Sequence, residues 1–131
     1  MSKFQRDKGK RGERMFARLL TDLGFDAKTG KQLWEARRGV QYQGGPDSPD
    51  IVCPALPIHW EVKNVERLSV RDAYSQADSE RALGNTPVVA WKKSNCPWLV
   101  ILSADDFCDI LRQSDLVKTT QHNHENHKPK G

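Results

Sequence analysis

No stretch of this chain approaches the roughly twenty consecutive apolar residues that a membrane-spanning helix needs. The polar opening Met1-Ser2-Lys3-Phe4-Gln5-Arg6 also lacks the apolar core of a secretory signal. Cysteine is scarce: Cys53, Cys96 and Cys108 are the three, an odd number without metal-ligand spacing. That excludes a disulfide framework and a zinc cluster, and it predicts buried thiols in a reducing compartment. These absences together predict a soluble cytoplasmic protein with no membrane partner. The 131 residues are one domain's worth, enough for a single core.

What is abundant is positive charge, and it is clustered. The formal net charge is +4 and the sequence pI about 9.1, which suits an anionic partner. Lys3, Arg6, Lys8, Lys10, Arg11 and Arg14 crowd the start of the chain, and Lys28, Lys31, Arg37 and Arg38 follow before residue 50. A solvated basic surface is the ordinary alternative. The clusters bracket an acidic motif, however, which makes Lys8, Lys10, Arg11, Arg14, Arg37 and Arg38 candidate DNA contacts.

That motif lies between Ser48 and Lys63. Asp50 opens the apolar run Ile51-Val52-Cys53, and after Pro54-Ala55-Leu56-Pro57 a second run reads Ile58-His59-Trp60-Glu61-Val62-Lys63. The second run alternates, so as a strand it places Ile58, Trp60 and Val62 on one face and His59, Glu61 and Lys63 on the other. A hairpin turning between Ala55 and Leu56 would set Asp50 across from Glu61, with Cβ atoms about 5 Å apart. Two carboxylates that close repel unless a cation or a proton lies between them. Oxygen ligands favour Mg²⁺ or Mn²⁺ over zinc, and Mg²⁺ keeps waters, one of which can act as a nucleophile. Lys63 is then placed to orient or deprotonate that water, or to stabilise charge on a phosphate. The plain alternative makes Asp50 a turn residue after Pro49, and Glu61 and Lys63 an exposed polar strand face.

Pro49-Asp50 followed by Glu61-Val62-Lys63 resembles the PD-(D/E)xK nuclease signature. The surrounding order of elements is similar to that of the small archaeal-type and phage Holliday-junction resolvases: Lys8-Gly9-Lys10-Arg11-Gly12-Glu13-Arg14 entering a helix, Gly24-Phe25, a basic segment, then the motif. The resemblance covers about Lys8 to Ser103. It implies an α/β fold with a restriction-endonuclease-like core, a central mixed sheet of about four or five strands flanked by helices. It implies a Mg²⁺-dependent DNA endonuclease, with Mn²⁺ as a substitute, acting in recombination or phage DNA processing. By resemblance the metal ligands are Asp50, Glu61, the Val62 carbonyl and Glu13, near the start of the first helix, and the catalytic set is Glu13, Asp50, Glu61, Lys63 and Gln76. A four-way junction cut by a symmetric homodimer is the substrate it implies, since paired cuts need two related active sites. Two alternatives stay open: another structure-specific, nicking or restriction-like nuclease of the fold, and a nucleic-acid-binding module without catalysis.

The pattern predicts a first helix from about Lys10 to Leu23, with Met15, Phe16, Leu19, Leu20 and Leu23 at helical spacing and Gly24 as its stop. Residues 25–45 suggest an irregular strand or loop around Trp34 and Val40, ending at Gly44-Gly45-Pro46, where close backbone approach is allowed. Ser69 with Asp72 predicts the cap of a second helix, stapled by Leu68 and Ala73 and running to Leu83 before Gly84-Asn85. Val88 to Lys93 and Pro97 to Leu102 read as strands, and Ser103 with Asp106 as the cap of a last helix carrying Phe107, Ile110 and Leu111. Trp91, Trp98 and that helix are candidates for a dimer surface, or for core. His59 shares a face with Glu61, where it touches substrate or plays a neighbouring structural role. Residues 1–117 are expected to form one nuclease domain, and 118–131 a disordered polar tail whose His122, His124 and His127 are more readily flexible than metal-binding.

Overall fold

The computed structural model describes residues 2–39 and 49–118. Val40, Gly44-Gly45-Pro46, Ser48 and the histidine-bearing tail lie outside the described residues. The first helix, α1 (Lys3–Asp22), begins seven residues earlier than the apolar spacing predicts. A local signal accounts for this. Ser2 Oγ accepts from Gln5 N at 3.1 Å and Gln5 Oε1 accepts from Ser2 N at 3.3 Å, a reciprocal capping box that starts a helix in a segment with almost no apolar face. Glu13 is therefore mid-helix and not in a first turn.

Two short strands, β1 (Arg37–Arg38) and β2 (Ile51–Val52), pair antiparallel, with Arg37 opposite Val52 and Arg38 opposite Ile51. The expected hairpin between Ile51-Val52 and the following run does not form as a ladder. Instead a turn closed by Leu56 N to Cys53 O at 3.1 Å bends the chain at Pro54-Ala55. Pro54 and Pro57 carry no N–H to donate to such a ladder. The chain then enters β3 (Ile58–Asn64), α2 (Val70–Glu80), β4 (Thr86–Lys92), β5 (Leu99–Ile101) and α3 (Ala104–Gln113).

β3 and β4 are parallel, in register from Ile58 opposite Thr86 to Asn64 opposite Lys92, and β5 runs antiparallel to β4. The connection between the parallel pair contains a helix, as such crossovers usually do. Mixed α/β character is thus as expected, but the five strands among the described residues divide into a three-stranded mixed sheet and a separate two-stranded one.

The larger sheet is covered on both faces. On one, Phe16 and Ala17 of α1 pack with Ile51, Cys53, Trp60, Val62, Val88 and Ala90. Phe16 sits between two indoles, 5.0 Å from the Trp60 ring and 4.9 Å from the Trp98 ring, so Trp98 belongs with the core. On the other, Ala73 and Ala77 of α2 meet Val89, small residues that bring the helix close. Burial of His59, Trp60, Glu61 and Val62 in succession follows, as expected of a strand with cover on both sides. The α1 packing is tight at Gly12, where an added Cβ would lie 2.7 Å from Asn64 Cβ. Asn64 Nδ2 donates to Lys8 O at 3.1 Å beside it.

α2 ends at Glu80, three residues short of Leu83, because Arg81 is already extended to lead into β4. Ser69 precedes α2, but its hydroxyl donates to Asp72 Oδ2 at 2.9 Å and makes no backbone cap. Ser103 does cap α3, accepting from Asp106 N at 3.0 Å. α3 buries none of its residues, and Phe107 and Ile110 are exposed. Of the cysteines only Cys53 is buried; Cys96 and Cys108 are exposed, because they fall on a turn and on this uncovered helix. No helix of the described residues is long and apolar enough to cross a membrane.

Candidate metal centre

Asp50 and Glu61 reach one buried neighbourhood by different routes. Glu61 is there because β3 alternates and α2 covers its polar face. Asp50 precedes β2 and turns its side chain toward β3, where Oδ2 accepts from Val62 N at 2.8 Å. That bond takes the place of the expected cross-strand pairing. It also places the Val62 carbonyl, since the N–H and C=O of one extended residue leave the strand on the same edge. Gly39 secures the approach: its N–H donates to Asp50 O at 2.8 Å, and a Cβ there would lie 2.2 Å from Pro49 O.

Lys63 Nζ lies 3.5 Å from Glu61 Oε2 and donates to Gln76 Oε1 at 3.1 Å. Gln76 Nε2 in turn is 3.5 Å from Glu80 Oε2. Gln76 thus meets Lys63 directly. Glu13 is close enough for its charge to act on Asp50, but its Oε1 is paired with Arg38 Nε at 2.7 Å. Arg38, expected to bind DNA, is therefore engaged with an acidic site residue.

Burial dominates the electrostatics. Desolvation raises Asp50 to about 6, assisted by the charges of Glu13 and Glu80 and opposed by the Val62 N–H and Lys63. Glu61 is raised to about 7, first by desolvation and then by the charge of Asp50, again opposed by Lys63. Buried carboxylates whose negative charge is this costly have the chemistry of a divalent-cation ligand set, because a cation removes the penalty that burial imposes. A cation shared by Asp50 and Glu61 would offset that cost, while the three donor atoms that lie within 4.8 Å of one another among the described residues are those of His59, Glu61 and Glu80.

Of the basic candidates, Lys8, Lys10 and Arg38 line a cleft of about 830 Å³ with Phe4, Glu13 and Lys63. The cleft runs from the positive part of α1 to Glu13 and Lys63; Asp50 and Glu61 do not line it. Arg11, Arg14 and Arg37 are exposed and do not line it.

Two acidic-site neighbours escaped the reading of the sequence as ligands. His59 is almost fully buried beside Glu61, and Glu80 of α2 lies over both; the three offer donor atoms within 4.8 Å of one another. The signal for Glu80 was its position four residues after Gln76, one helical turn along the same stripe. Gly39 carried no sequence signal, since its role depends on the neighbouring Pro49 carbonyl. No protein-family model, curated protein or solved structure matches this chain.

Proposed function

We propose that the chain is a divalent-metal-dependent DNA endonuclease of PD-(D/E)xK type. The observation that carries the reading is the convergence of buried Asp50 and Glu61 beside Lys63, which itself lines a cleft with Lys8, Lys10 and Arg38. Asp50, Glu61 and the Val62 carbonyl would hold Mg²⁺ or Mn²⁺, and Glu13, tethered to Arg38, would assist directly or through water. A bound cation supplies Lewis acidity to the phosphate and lowers the pKa of the attacking water.

The remaining roles belong to the chain. Lys63, steadied by Glu61 and by Gln76, presents its ammonium to the attacked phosphate and orients the nucleophile in line with the leaving oxygen. Gln76 is a positioning residue, since it acts through Lys63. Lys8 and Lys10 hold phosphates flanking the scissile bond. Within this reading a four-way junction is the favoured substrate and a homodimer the working form. The exposed apolar side chains of Leu99 and Val100 on β5 and of Phe107 and Ile110 on α3 are candidates for contact with the second copy.

The test is cleavage of labelled four-way junction, linear duplex, flap and single-stranded DNA, each with Mg²⁺, Mn²⁺ or chelator, by wild type and Asp50→Asn. Metal-dependent cutting that Asp50→Asn loses while still binding DNA supports the nuclease; paired symmetric cuts confined to the junction support the resolvase. Salt-sensitive binding without any product makes the chain a binding module, and undiminished cutting by Asp50→Asn removes the assignment.

A further inference from the structure

The Glu61 carboxylate faces two ways. Its Oε2 is directed to Lys63, at 3.5 Å, and its Oε1 to His59 Nε2, at 3.9 Å. His59 and Glu61 share a face because they are two residues apart on β3. The small Ala73 and Ala77 let α2 lie close over that face, and Glu80, at its last turn, completes the group. The nuclease reading uses neither His59 nor Glu80.

We infer that His59, Glu61 and Glu80 form a second cation site, specific for a first-row transition-metal dication such as Mn²⁺ and sharing Glu61 with the Asp50 centre. One imidazole and two carboxylates are a mixed nitrogen and oxygen set. Imidazole nitrogen favours transition metals, whereas Mg²⁺ prefers oxygen alone and keeps its waters. A metal about 2.0–2.2 Å from each donor needs those donors closer than the 4.8 Å that now bounds them. His59 and Glu61 are buried on the strand and Glu80 is only partly covered, so Glu80 is the arm that closes. Three protein ligands leave coordination positions for water, and the shared carboxylate fixes Glu61 with its other oxygen toward Lys63. The site goes beyond the nuclease reading and does not require it, because metal binding is measured without DNA.

The experiment titrates Mn²⁺ into the full chain in excess Mg²⁺, following free Mn²⁺ by electron paramagnetic resonance and the bound ion by its hyperfine coupling to ¹⁴N. One Mn²⁺ per chain should survive the Mg²⁺ excess and show coupling to a single imidazole nitrogen. His59→Gln should abolish the coupling, and His59→Gln and Glu80→Gln should each weaken Mn²⁺ binding tenfold or more, while Asp50→Asn retains the coupled ion. Glu80→Gln, at a partly exposed position, keeps the test independent of any folding defect in His59→Gln. Full displacement of Mn²⁺ by Mg²⁺, bound Mn²⁺ without nitrogen coupling, or unchanged affinity in Glu80→Gln would each overturn the site. Failure of every DNA substrate to be cut would remove the nuclease and leave this result standing.

Discussion

Replacing Glu61 by Gln deletes a buried negative charge with little change of shape, and the metal-free protein should become more stable for it. Glu61 titrates at about 7 in the folded chain against an ordinary 4.5, a difference of about 2.5 pH units. At 1.36 kcal/mol per unit, holding Glu61 ionised in the fold costs about 3 kcal/mol. The folded state binds the proton more tightly than the unfolded chain, so this penalty is absent below pH 4.5, grows as pH rises and is complete above about pH 7. Gln carries no charge at any of these pH values. In chelator, Glu61→Gln should therefore gain about 3 kcal/mol over wild type at pH 8 and about 1 kcal/mol or less at pH 5. At roughly 3–6 °C per kcal/mol for a chain of this size, the pH 8 gain is about 10 °C in Tm. Urea and thermal denaturation followed by circular dichroism between pH 5 and pH 8.5 provide the measurement. Saturating Mn²⁺ should narrow the gap by stabilising wild type more than the variant. A Gln variant that is no more stable at pH 8 than wild type, or whose gain does not change with pH, would refute the claim that burial of an ionised Glu61 strains the fold.

Gly39→Ala should lower stability by about 2 kcal/mol and weaken Mn²⁺ binding tenfold or more, because its Cβ meets the Pro49 carbonyl at 2.2 Å and displaces Asp50. Isothermal calorimetry and urea denaturation check both effects. Gly12→Val pushes α1 off β3 at Asn64 and should cost about 1–3 kcal/mol, with loss of protection at the Lys8-Asn64 contact seen by hydrogen exchange. Phe16→Ala leaves a cavity between Trp60 and Trp98 and should cost about 3–5 kcal/mol, with a change in tryptophan fluorescence that a surface substitution such as Arg18→Ala does not give.

The elements with short-range causes were readable in the chain itself. The alternation from Ile58 to Lys63 determined which residues share a face of β3, Ser103 with Asp106 announced the cap of α3, and Phe16 fell on the buried stripe of α1. Asp50, Glu61 and Lys63 were singled out on spacing, and the fold does bring them together. The Ser2-Gln5 capping box is also present in the sequence, but it lies ahead of the apolar stripe, so apolar periodicity alone starts the helix seven residues later. Long-range packing decided the rest. β2 pairs with β1 and meets β3 through the core cluster that Ile51 shares with Trp60 and Val62 and through the Asp50 carboxylate on the Val62 N–H. Coverage of the His59-Glu61 face depended on where α2 lands, and so did the approach of Glu80, the pairing of Gln76 with Lys63 and the raised pKa of both carboxylates. Arg38 shows the same limit: its charge was plain, but its engagement with Glu13 across 25 residues exists only once α1 and β1 are packed. Periodicity and caps act over a few residues and can be read along the chain, whereas burial and charge proximity depend on which distant surfaces meet, and only the folded arrangement determines that.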